Sequence, residues 1–183
     1  MYKRQVLGSG RGIEQVLNLV AMNPNICAVV LGDGKESYYK KLLLLVEQQK
    51  IEGRVLFIPA VPNRELWKYI SAVDLGMVLI SNGAESRSYY LSLPNKLFEN
   101  IQSMTPVICS NYPAMQSLVK QYCIGVSCDP ENLAEINECV ERMRNNKEFY
   151  EFCKRNLKIA KRELYWEKEK SILINALLKL GLS

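Results

Sequence analysis

The segment Ser92 to Ile108, SLPNKLFENIQSMTPVI, sets Lys96 and Glu99 three residues apart at the start of a helix-like pattern. On a helix that spacing puts both side chains on one face. Pro94 suits the first turn, Ser92 or its neighbour can cap it, and Leu97, Phe98, Ile101 and Met104 form the apolar side. Asn95 and Lys96 are polar at the same end, and Lys96 places a cation where the helix macrodipole is already positive, which an arriving anion would relieve. The Glu99 carboxylate is favoured near a helix start and can accept hydrogen bonds from sugar hydroxyls. An anion beside a polyol is what a nucleoside diphosphate sugar presents.

A second anion-binding candidate is GSGRG, Gly8 to Gly12. Glycines there let backbone amides approach a phosphate at a helix start, and Arg11 adds a fork of donors. The G-x-G-x-G spacing lacks the third glycine of a dinucleotide fingerprint, and no G-K-[ST] of a P-loop follows. In LGDGK, Leu31 to Lys35, a turn with positive φ accounts for the glycines without a ligand.

Other chemistries are excluded by composition. The 183 residues include no histidine, so no Ser-His-Asp triad, Cys-His dyad or histidine metal site can be built from this chain. The six cysteines, Cys27, Cys109, Cys123, Cys128, Cys139 and Cys153, are scattered without zinc spacing and read as reduced structural thiols; no metal is expected. The net charge of +5 is spread among interleaved acids and bases, which describes a solvated helix surface and no nucleic-acid face. Apolar runs stop well short of the roughly 20 residues of a membrane helix, and the N-terminus lacks a signal-peptide core. A cytoplasmic location is expected, peripheral to the inner membrane face at most.

Elements that could position Arg11, Lys96 and Glu99 alternate along the chain. Strand patterns at Tyr2 to Leu7, ICAVVLG, VLFIP, LGMVLI, PVICS and IGVSC are separated by amphipathic helices. One helix aligns Ile13, Val16, Leu17 and Val20; the next aligns Tyr39, Leu42, Leu43 and Val46; a third aligns Leu66, Tyr69, Ile70 and Val73. After the polar loop SNGAESRSYYL and the helix of the opening segment, another is expected around Ala114 to Lys120. From Asn132 the pattern is helical, broken near Asn145 to Asn146 and around Leu164 to Trp166. This order predicts an α/β fold: a Rossmann-like doubly wound parallel sheet of about six strands with helices on both faces, over roughly residues 1–130, and a helical C-terminal extension over 131–183. Ligands of such sheets bind beyond the carboxyl ends of the strands, where GSGRG and SLPNK both fall.

Taken in order, GRGIEQVL, AVVLGDG, VLFIPAVPNRELWKYISAVDLGMVLI, SLPNKLFENI leading into TPVICS, and the final helices with Trp166 resemble the C-terminal, donor-binding lobe of a GT-B fold, family 4 type retaining glycosyltransferase. The resemblance covers nearly the whole chain. It implies transfer of a sugar from a nucleoside diphosphate sugar to a saccharide or lipid-linked acceptor, as in polysaccharide biosynthesis, without a metal or other cofactor. The family motif is two glutamates separated by seven residues; Glu99 matches the second, which implies binding of the donor ribose. The position of the first holds Leu91, a departure. By the same resemblance Arg11 and Lys96 would meet the diphosphate and share catalysis with Glu99. Gly10 and the turn Pro94, Asn95, Lys96 and Leu97 would supply its backbone contacts, and Val61, in the segment Pro59 to Val61, would lie beside the nucleobase. Relatives often carry glycine before the next strand, where this chain has Ser103 and Met104.

The resemblance also implies a single lobe over 1–183, with the N-terminal acceptor lobe absent. Because the final helix of related enzymes crosses onto that lobe, SILINALLKL is expected to expose an apolar face and to drive self-association. A nucleotide-sugar epimerase of the same fold and a noncatalytic module that kept it are the alternatives, and the GSGRG spacing argues against a dinucleotide-dependent oxidoreductase.

Overall fold

The computed structural model describes residues 6–81 and 87–180. Its seven short strands all pair in parallel. Strand β1 (Val6–Leu7) lies beside β3 (Asp33–Gly34), β2 (Ala28–Leu31) beside β4 (Val55–Ile58), and β6 (Val107–Ser110) between β5 (Gly76–Val78) and β7 (Gly125–Cys128). Parallel neighbours need crossovers, and helices supply them: α1 (Ile13–Met22), α2 (Glu36–Gln48), α3 (Asn63–Ile70), α4 (Arg87–Tyr90), α5 (Asn95–Gln102) and α6 (Pro113–Tyr122). Helices α7 (Leu133–Asn145), α8 (Lys147–Glu163) and α9 (Trp166–Lys179) complete the chain. This is the doubly wound α/β architecture expected, with its breaks at the expected places in the C-terminal helices.

Two details differ. The ladder is divided into three hydrogen-bonded sets rather than one continuous sheet, and Asp33–Gly34, read as a turn, is a short strand. The turn is made by Gly32 at φ 142, whereas Gly34 permits close approach, since a Cβ there would stand 2.8 Å from the carbonyl oxygen of Leu7. The expected strand over Tyr2 to Leu7 is seen as Val6–Leu7, its earlier part lying outside the described residues. Much of the loop SNGAESRSYYL, 82–86, lies outside them too.

Strand β6 is buried along its whole length, as its unbroken apolar run requires of a strand covered on both faces. Its alternate side chains enter different cores. Val107 and Cys109 join Leu97, Ile101, Met115 and Leu157 under α5, α6 and α8, while Ile108 joins Leu19, Ile136, Val140 and Met143 under α1 and α7. A third core packs α1 and α2 on β2 with Leu17, Val20, Leu42 and Val46. Leu43, expected on that face, is exposed; Leu42 and Val46, one turn apart, already fill it. The cysteines are free thiols. Among the described residues no helix is long and apolar enough to cross a membrane.

Beyond Val78 the pairing of β5 with β6 is continued by a side chain. Fully buried Ser110 accepts from the Ile80 amide at 2.8 Å and donates to the Ile80 carbonyl at 3.1 Å. The segment Leu79 to Ser81 is thereby held in place at the carboxyl end of the strand.

Candidate functional site

The glycine loop Gly8 to Gly12 stands against that segment. Gly10 and Gly12 adopt φ 73 and φ 79, a left-handed backbone that other residues enter at a cost. A Cβ on Gly12 would also overlap Cβ of Leu79, so glycine lets the start of α1 press on the extension of β5. The Ser81 amide donates to the Gly10 carbonyl at 3.0 Å, and Nε2 of Gln15 donates to Oγ of Ser81 at 2.9 Å. Arg11 is therefore exposed on a loop whose backbone is tied to the sheet.

Lys96 reaches the same place from α5. Its Nζ donates to the carbonyl oxygens of Leu79 at 2.8 Å and Arg11 at 3.3 Å. The cation at the positive end of a helix is thus already relieved by two carbonyl dipoles, and no anion is needed to account for its position. Burial still disfavours its charge: desolvation, aided by the Arg11 guanidinium and opposed by Glu99, lowers the ammonium pKa to about 8. Glu99, half-buried on the same face of α5, has its carboxyl pushed up by burial, an effect that Lys96 partly offsets. Buried Asn100 donates from Nδ2 to the Lys96 carbonyl at 2.7 Å and packs against Gly76, which fixes the backbone from which Lys96 extends.

The start of α5 differs from expectation. Ser92 does not cap the helix; its Oγ donates to the Tyr89 carbonyl at 3.0 Å. Pro94 is the capping residue, with extended backbone and no side-chain cap bond, and its carbonyl accepts from the Leu97 amide at 2.9 Å. Proline has no amide proton and the Leu97 amide is engaged, so the amides of Asn95 and Lys96 are the ones this turn can offer an anion. The Leu97 side chain is fully buried in the core. Helix α1 likewise starts without a side-chain cap, at Gly12. Two uncapped helix starts thus flank the Lys96 ammonium, and both macrodipoles favour negative charge there.

Gly10, Arg11 and Lys96 are brought together, with Glu99 beside them. Val61 is half-buried in the loop after β4, which the neighbouring Ala60 amide joins to Oδ1 of Asp33 at 3.1 Å. Leu91 is exposed. Gly10 also borders an open cavity of about 250 Å³ lined by Ser9, Gly10, Glu14, Gln15, Ser81 and Glu131. Within it Glu14 accepts from the Tyr38 hydroxyl at 2.9 Å. Glu14 and Glu131 were not singled out from sequence, although each follows a strand closely enough to stand at this edge of the sheet. Tyr89 was missed as well: its ring lies 5.5 Å under the Arg11 guanidinium, and the signal was an aromatic pair one residue before SLPNK.

The family model for glycosyl transferases group 1 matches residues 5–160. The chain belongs to this family. Among curated proteins none matches the sequence. Solved structures share its fold at low identity: sucrose-phosphate synthase from Thermosynechococcus elongatus (TM-score 0.79, 18% identity, 96% of this chain and 44% of that one), and Anabaena HepE in complex with UDP-glucose (TM-score 0.80, 16% identity, 96% and 47%). The C-terminal domain of a glycosyl transferase group 1 family protein from Francisella tularensis aligns over 83% of this chain and 78% of its own, with 16% identity and a TM-score of 0.66. The chain therefore spans less than half the length of the first two. In this group 1 glycosyltransferase domain, the two uncapped helix starts and the Arg11–Lys96 pair lie together at the carboxyl ends of the strands, where doubly wound folds bind their ligands.

Proposed function

We propose that the chain is the donor-binding lobe of a family 4 type glycosyltransferase of the GT-B fold. It transfers a sugar from a nucleoside diphosphate sugar to a saccharide or lipid-linked acceptor, with retention of configuration, in concert with a second, acceptor-binding lobe. The observation that carries this reading is the Lys96 ammonium, fixed by the Leu79 and Arg11 carbonyls between the starts of α1 and α5. As the glycosidic bond breaks, the leaving diphosphate gathers negative charge. Arg11, Lys96 and the amides of Asn95 and Lys96 stabilise that charge from positions taken before the reaction begins. Glu99 accepts from the ribose hydroxyls, Gly10 lets the diphosphate approach the backbone, and Val61 borders the nucleobase. The structural neighbour HepE was solved with UDP and with UDP-glucose, which supports a donor of this class.

Calorimetric titration of the full chain with UDP, GDP and UDP-glucose tests the reading. Arg11→Ala and Glu99→Ala should each weaken binding about ten-fold or more, the loss of a charge-assisted contact. Unchanged affinity in both variants would overturn the assignment, and failure of the wild type to bind any nucleoside diphosphate would favour a noncatalytic module. Product analysis with a nucleotide sugar and no acceptor separates transfer from epimerisation.

A further inference from the structure

Resting on the donor-binding reading, we infer that Tyr89 is a positioning residue for the diphosphate site, holding the Arg11 guanidinium by its ring so that the guanidinium edge is free for phosphate oxygens. Arg11 extends into solvent from a glycine-flanked loop, and a long side chain in that setting loses rotamer freedom when a ligand captures it. The Tyr89 ring lies 5.5 Å from its guanidinium carbon, within cation–π range. A guanidinium carries its N–H donors in its plane and its attraction to an aromatic ring on its face, so stacking on Tyr89 and bidentate donation to phosphate are compatible.

The ring is itself held. Helix α4 is a single turn, with the Leu91 amide donating to the Arg87 carbonyl at 3.1 Å and both the amide and the hydroxyl of Ser92 donating to the Tyr89 carbonyl. The adjacent Tyr90 packs its ring 5.5 Å from that of Tyr112, a buried residue at the start of α6. The turn is thus anchored through Tyr90 to the core while Tyr89 faces Arg11. Its role is to reduce the ordering that the diphosphate would otherwise impose on Arg11.

The test is a double-mutant cycle on the full chain, titrated with UDP and with uridine. Tyr89→Leu should weaken UDP binding about three-fold, the scale of a partly exposed cation–π contact, and leave uridine binding unchanged. Tyr89→Phe should restore UDP affinity, because the ring and not the hydroxyl makes the contact. In an Arg11→Ala background, Tyr89→Leu should have no further effect. Additive losses in the cycle, equal losses for UDP and uridine, or no loss at all would overturn the role of Tyr89 while leaving the donor site standing. Absence of UDP binding by the wild type would overturn both. Thermal unfolding of Tyr89→Leu should match the wild type, since the side chain is 40% exposed; a lowered midpoint that accounts for the lost affinity would overturn the positioning role.

Discussion

At the scale of single residues, Lys96 sets function against stability. Its pKa of about 8, against 10.5 for an ordinary lysine, means that between these values the unfolded chain binds a proton that the folded chain has released. Stability of the unliganded protein should therefore rise with pH across that window, and below about pH 8 the cost of burying the charge is fully present. Denaturation at a series of pH values should show this rise in the wild type and not in Lys96→Met. Donor affinity moves the opposite way. A diphosphate recruits the charged ammonium, so UDP affinity should fall above about pH 8, with the fall missing in Lys96→Met. The types and spacing of Lys96 and Glu99 were legible in the sequence because three residues on a helix fix a shared face. What holds Lys96 was not, since its partners are backbone carbonyls 17 and 85 residues away in the chain. The Tyr89 contact was hidden for the same reason: nothing local says which loop an aromatic ring will meet.

At the scale of elements, helices and their breaks were legible because each apolar stripe repeats over several turns, and central strands because a run such as VICS must be covered on both faces. Asp33–Gly34 was not, since two residues carry no period and their pairing is set by Leu7. Helix ends give sharper tests. Met104 and Cys123 follow α5 and α6 with φ 61 and φ 49, in the left-handed conformation usually taken by glycine. With no glycine at Ser103–Met104, the positive φ there falls on Met104. Cys123 is exposed, so Cys123→Gly should stabilise the protein by about 1 kcal/mol in thermal or chemical unfolding. Met104→Gly should gain less, because Met104 packs on the core beneath α5 and its burial would be lost. Gly12→Ala works in reverse. It imposes a Cβ on a left-handed residue and against Leu79, and should cost about 2–3 kcal/mol as well as weaken UDP binding.

At the scale of the whole molecule, α9 is a long helix without a core. None of its residues is buried, and Ile172, Leu173, Ile174, Leu177 and Leu178 are all exposed large hydrophobics. Helix α8 before it, by contrast, buries Cys153, Leu157 and Ala160. Leu173, Ile174, Leu177 and Leu178 fall on one side of the helix, and an exposed apolar face suits burial against a partner. We propose that in the isolated chain it is met by a second copy, and in a two-lobed enzyme by the other lobe. Leu173 and Leu177 are one turn apart on a single face. Sedimentation velocity over a wide concentration range should show reversible association of the wild type and a monomer for the double variant Leu173→Glu, Leu177→Glu; a strictly monomeric wild type would contradict the proposal. Because α9 supplies none of Gly10, Arg11, Lys96 or Glu99, the double variant should bind UDP as tightly as the wild type does when monomeric. A loss of affinity on dissociation would instead mean that the second copy completes the donor site.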